Sequence, residues 1–202
     1  MSRIIIAEPP AQAVFQAAFA GIDVQWVGTP GEAGPADFVF DLSFDGSDVR
    51  VAQLAAIQTG LVLVNAVGPT LKELAAPAHF VRINGWNTFL QRNLAEVVAG
   101  PEALPLLEAF CTAWSKSPVF LPDNPGMPSA RIVSMIINEA FYALGEGVST
   151  ADAINTAMKL GTNYPFGPFE WCDLIGRQQI LSLLQRMEKE NPRYTIAPLL
   201  CH

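Results

Sequence analysis

Arg3-Ile4-Ile5-Ile6-Ala7-Glu8-Pro9-Pro10-Ala11 opens as a β-branched apolar run and closes on two prolines. A short run that is apolar at successive positions, bounded by turn residues, reads as a strand buried on both faces. Similar runs recur at 24–27, 37–42, 61–64 and 79–83. Between them helical patterns are expected over 11–20, 49–57, 70–75 and 88–98. A helix at 102–115 and a last strand at 119–121 follow. Strand alternating with helix at this spacing predicts a parallel sheet built from βα units.

The pattern changes after Pro122. Asp123-Asn124-Pro125-Gly126 is a turn signal, and beyond it no strand pattern intervenes between helices. Ile132, Val133, Ile136, Ile137, Ala140, Phe141 and Leu144 fall on one helical face. Ser149 and Asp152 form a capping-box pattern for a helix running to Leu160 and stopping at Gly161, and a third helix is expected over 178–190, before Pro192. The expected division is an α/β domain over 1–121 and an all-α domain over 122–202.

Composition narrows the function. Of 202 residues, half are apolar and 15% charged, against about 25% in ordinary soluble domains, so part of the surface is expected to be covered. Mean hydropathy is +0.28, yet the longest uncharged stretch, 51–71, is interrupted by Gln53, Gln58, Gly60, Asn65 and Gly68-Pro69. No membrane span is expected. Three isoleucines before Glu8 are too few for a secretory signal, so a cytoplasmic protein is expected. Twelve basic against nineteen acidic residues give a net charge of −7 with no basic cluster, which argues against nucleic acid. Cys111, Cys172 and Cys201 are scattered, read as buried free thiols, and no metal ligand set is expected.

The first strand-to-helix turn of such a sheet is where a dinucleotide would bind, on glycines that let the backbone approach the pyrophosphate. Ala7-Glu8-Pro9-Pro10-Ala11 has no glycine, one carboxylate and two residues without an N–H. His79 is the single histidine before the terminal residue; it is either structural or a general acid or base. Glu96, on the expected helix at 88–98, is placed to fold back against it. Asn65, Arg82 and Asn84 are polar residues in apolar surroundings near strand ends, read as turn residues or as ligand contacts. Glu170 and Asp173 are read as caps in the loop-rich stretch 161–176, dense in aromatics, glycine and proline.

That stretch, with Asn124-Pro125-Gly126, Asn138-Glu139-Ala140, Glu146-Gly147-Val148, Met158-Lys159-Leu160-Gly161 and Tyr164-Pro165-Phe166-Gly167-Pro168-Phe169-Glu170, resembles the C-terminal domain of 3-hydroxyacyl-CoA dehydrogenases over nearly all of 119–198. The first half resembles a shortened form of that family's Rossmann domain. The resemblance implies a shortened Rossmann-like sheet followed by an all-α domain that dimerises and helps to close an acyl-CoA cleft. It implies NAD as cofactor, a histidine that takes the 3-hydroxyl proton and a glutamate that orients it. Asn65 matches the asparagine of the family's strand-end motif, whose serine falls on Val67; a helix asparagine falls on Ala130. Aligning Asn84 with the asparagine of the family's His-Phe-Phe-Asn-Pro segment puts the histidine on Val81. His79 takes that place if two residues are inserted.

Two functions are therefore expected. One is a non-catalytic or altered-function relative that binds an acyl-CoA or a partner protein. The other is a divergent oxidoreductase of fatty-acid metabolism, acting on 3-hydroxyacyl-CoA with NAD, with His79 as base, Glu96 orienting it, and Asn65, Arg82 and Asn84 on the substrate. A homodimer contact is expected on 128–145 or 164–175.

Overall fold

In a computed structural model of the chain, residues 2–202 are described. They form two compact units, one ending at Asn124 and the other spanning Pro125–His202.

The first unit is a seven-stranded sheet of order β2-β1-β3-β4-β5-β6-β7. Its strands are β1 (Arg3–Ile6), β2 (Gln25–Val27), β3 (Ala36–Asp41), β4 (Thr59–Asn65), β5 (Phe80–Ile83), β6 (Leu94–Ala99) and β7 (Ser117–Phe120). All neighbours are parallel except β5 and β6. Alternate side chains of the apolar runs go to opposite faces, and both faces are buried. Ile5, Phe38, Phe40, Leu61 and Leu63 join Phe110 and Trp114 of the α3 side; Ile4, Ile6, Val39, Val62 and Val64 join Val51 and Leu54 of α2. The helices are α1 (Pro9–Phe15), α2 (Asp48–Ala55) and α3 (Leu104–Ala113). Trp114 stacks on Phe19 at 4.9 Å, and its Nε1 donates to the Ala18 carbonyl at 2.7 Å, anchoring the turn after α1.

Four sequence expectations change. The segment expected as a helix at 88–98 is a loop leading into β6, so Glu96 sits on a strand. The apolar run Ala95, Val97 and Val98 is consumed by pairing with β5 and β7. The helix expected at 11–20 is cut at Phe15, after which the chain tightens into a 3₁₀ turn. Residues 70–75 make turns, with the Thr70 amide on the Glu73 carboxylate and the Leu71 and Lys72 amides on Asp123. Cys201 is exposed, while Cys111 and Cys172 are buried; burial pushes the Cys111 thiol up to about 11.

The second unit holds α4 (Pro128–Gly145), α5 (Ala151–Thr162), α6 (Pro168–Ile175) and α7 (Arg177–Glu190). α4 buries Ala130, Val133, Ile137, Ala140 and Phe141. Its buried Asn138 pins the C-terminal segment: Nδ2 donates to the Thr195 carbonyl at 2.9 Å and Oδ1 accepts from the Ala197 amide at 2.8 Å. The cap of α5 is Thr150, whose hydroxyl accepts from the Ala153 amide, one residue past the expected Ser149.

The stretch at 164–170 has a packing reason. A Cβ on Gly167 would run into Asn155 of α5, so the backbone comes close enough for Asn155 Oδ1 to accept from the Phe169 amide at 3.0 Å. Glu170 then closes the start of α6, accepting from the Gly167 amide at 2.8 Å and from Lys159 Nζ at 2.6 Å. These contacts hold the Glu170 carboxyl below its usual value, the Lys159 ammonium first.

Candidate functional site

An open parallel sheet presents its ligand site at the carboxyl ends of its strands. There, β5 and β6 run antiparallel with Ile83 opposite Val97, and the ladder continues one step as the Asn84 amide donates to the Glu96 carbonyl at 3.1 Å. That register sets the two side chains against each other. Asn84 Nδ2 donates to Glu96 Oε2 at 2.8 Å, and Asn84 Oδ1 accepts from the Trp86 amide at 3.3 Å. Both residues are buried, at 4% and 7% exposure.

Asn65, at the end of β4, extends the cluster. Its Oδ1 accepts from the Gly85 amide at 3.0 Å and its Nδ2 donates to the Leu42 carbonyl at 3.3 Å. Gly85 is required by this approach, since a Cβ there would lie 2.7 Å from the Asn65 side chain. The chain ends of β3, β4 and β5 are thus tied together through the Asn65 carboxamide, and Asn84 and Glu96 tie the end of β5 to β6.

His79 lies elsewhere. It precedes β5 at the opposite end from Asn84, five residues away, or about 16 Å along a strand. Its ring packs edge-on to Phe80 at 5.1 Å, and burial keeps its pKa below the usual histidine value. The fold therefore does not bring His79 to Glu96. The expected pairing failed because Glu96 is on a strand whose register selects Asn84, and neither His79 nor Val81 is its partner.

Arg82 is completely buried and braces the chain. Its Nε donates to the Ala66 carbonyl at 2.9 Å, Nη2 to the Val67 carbonyl at 3.0 Å, and Nη1 to Asp123 Oδ1 at 2.6 Å and the Asn124 carbonyl at 3.2 Å. These acceptors turn the guanidinium toward protein, where the sequence had also allowed a ligand contact.

Sequence reasoning missed Asp41 and Arg50. Asp41 ends β3 with no exposure and is held bidentately by Arg50 of α2, at 2.6 and 3.0 Å. Desolvation raises the Asp41 carboxyl, and Arg50 counteracts it. A lone carboxylate closing the apolar run at 37–42 was the available signal. Among the described residues no group of three or more His, Cys, Asp or Glu is placed to hold a metal ion, and no helix is long and apolar enough to cross a membrane.

The residues of the first turn do not fit NAD. Glu8 caps α1, Pro9 and Pro10 fill its first two positions, and Gln12 Nε2 donates back to the Ala7 carbonyl at 2.8 Å. With two of its leading amides replaced by proline nitrogens, this turn does not form a pyrophosphate cradle.

The strand order and the helical second unit define a shortened Rossmann-like sheet followed by an all-α domain. Residues 126–201 match the family described as 3-hydroxyacyl-CoA dehydrogenase, C-terminal domain. The probable 3-hydroxybutyryl-CoA dehydrogenase of Deinococcus radiodurans is 32% identical over 161 residues, 77% of this chain and 57% of that protein. The 3-hydroxyadipyl-CoA dehydrogenase of Escherichia coli is 48% identical over 73 residues, 36% of this chain and 15% of that protein. The crystal structure of a (S)-3-hydroxybutyryl-CoA dehydrogenase from Ralstonia eutropha superposes with a TM-score of 0.77 at 22% identity, over 99% of this chain and 91% of that one, a likeness of fold. Residues 126–201 belong to the 3-hydroxyacyl-CoA dehydrogenase C-terminal domain family, and the chain as a whole is similar to dehydrogenases of that family. It spans about half the length of most of the curated relatives it matches.

Proposed function

We propose that this chain is a family member that does not work as a standard NAD-dependent dehydrogenase, and that it binds an acyl-CoA or a partner protein in a non-catalytic or altered role. The observation that carries this reading is the Asn84–Glu96 hydrogen bond. In the family a glutamate orients a histidine base; here the group oriented by Glu96 is a carboxamide. A carboxamide does not take up a proton near neutral pH, and a positioned general base is worth about 10²–10⁴-fold in rate. Asn65 and Asn84, at the strand ends, are the substrate-facing candidates. Arg82 supports them through the loop after β4. In this reading residues 1–121 serve as scaffold and 122–202 as the substrate and dimerisation domain of a cytoplasmic homodimer.

The dimer part is supported by a cavity of about 670 Å³ in the second unit, walled by Ile132, Met135 and Ile136 of α4 and Ile154 and Met158 of α5. Ile132 is 59% exposed. A second copy covering this wall accounts for the low charge content, and sedimentation of wild type against Ile132→Glu tests it.

Calorimetric titration with acetoacetyl-CoA and with free CoA tests the ligand. Saturable thioester binding weakened by Asn65→Ala is expected; no binding of any CoA thioester, with no partner protein recovered, overturns the reading.

A further inference from the structure

A dinucleotide on an open α/β sheet crosses the strand ends where strand order reverses. Its pyrophosphate sits on the amides of the first helix and its ribose on a carboxylate after the second strand. In this sheet the reversal falls between β1 and β3. We infer that this crevice takes no dinucleotide, because each of the three recognition elements is removed, reversed or already bonded within the protein.

The donors go first. A helix start offers the amides of its cap and first three residues. In α1, Pro9 and Pro10 have none, and the Glu8 amide points to Ser43 Oγ at 3.4 Å. Ala11 alone remains of the four, and the Gln12 side chain is turned back onto Ala7.

The charge is reversed as well. Arg50, the cation at the end of β3, is held bidentately by Asp41, while Glu8 and Asp45 act on it as further negative neighbours. Three carboxylates thus offset one guanidinium, whose Nε and Nη2 are given to Asp41, and a pyrophosphate would meet net negative charge.

The ribose acceptor is withdrawn. β2 ends at Val27 and is followed by Gly28 and Thr29. Glu32 turns back on them, with Oε2 accepting from the Gly28 amide and Oε1 from the Thr29 hydroxyl, both at 3.0 Å. Its carboxylate closes its own turn.

This inference concerns the β1–β3 part of the carboxyl edge, two strands away from Asn84 at the end of β5, and it is separable from the reading above. The test is calorimetry of the whole chain with NADH and, separately, with ADP-ribose, which carries the pyrophosphate without the nicotinamide, alongside thermal melts. No saturable binding to about 1 mM and an unmoved Tm are expected for both. Saturable binding of either ligand in the micromolar range overturns the inference. Glu8→Gln, which removes charge but leaves both prolines, is expected to remain silent; ADP-ribose binding by that variant would overturn the role given to the missing donors. Failure to bind CoA thioesters leaves this inference standing and strikes only the acyl-CoA reading.

Discussion

The Asn84 carboxamide and the Glu96 carboxylate meet at 2.8 Å at the carboxyl end of β5, twelve residues apart in sequence and directly opposed in the β5–β6 ladder. A buried carboxylate held by an amide is a structural fixture, and its removal has a defined cost. Glu96→Ala leaves the Asn84 amide without this acceptor, and hydrogen bonds to charged groups contribute about 1.5–3 kcal/mol. A loss of that size in urea unfolding is expected. No loss would mean that the pair does not hold the strand ends.

Asn84→His places an imidazole beside Glu96. The variant is expected to remain unable to oxidise NADH with acetoacetyl-CoA, because the first turn lacks a nucleotide cradle, with circular dichroism checking that it folds. Turnover by this variant alone would show that a base was the sole missing part.

Arg82→Met removes the brace between the loop after β4 and the turn at Asp123. It strands the Ala66 and Val67 carbonyls and frees Asp123, which also receives the Leu71 and Lys72 amides. A destabilisation of about 3 kcal/mol is expected from broken buried partners. Chemical denaturation measures it, and a change under about 0.5 kcal/mol, the range of neutral surface substitutions, would deny Arg82 the bracing role.

Gly167→Ala forces a Cβ into Asn155 at the α5–α6 junction. Overpacking of this kind costs about 1–3 kcal/mol, and the lowered Tm is expected with the far-UV spectrum retained.

His79 carries a pH signature. Burial holds its pKa below the ordinary value in the folded chain, so the unfolded chain binds the proton more readily. Its contribution is complete above about pH 6.5 and is lost as pH falls toward the lowered folded value. His79→Gln is expected to flatten that part of the stability–pH curve, as read by urea unfolding at several pH values.

Local sequence carried much of the fold because the strands announce themselves: three isoleucines, or Phe38 to Phe40, need burial on both faces and offer no helical period. Residues 88–98 misled for a related reason. Ala95, Val97 and Val98 are short and apolar, and nothing local distinguishes a buried helix turn from a strand. The candidate site was less legible, since it arises from register. His79 and Asn84 flank β5, five residues apart, and only the pairing of Ile83 with Val97 decides which of them faces Glu96. Asp41 and Arg50 were hidden in the same way, being nine residues apart and joined by the return of α2 onto β3.

The most direct test is a single-turnover mixture of the chain, in excess, with NADH and acetoacetyl-CoA, following NADH absorbance. No loss of NADH beyond the protein-free control is expected. A stoichiometric burst that disappears in Asn84→Ala would contradict the account, because it would demand both a bound nicotinamide and catalysis at the Asn84–Glu96 site.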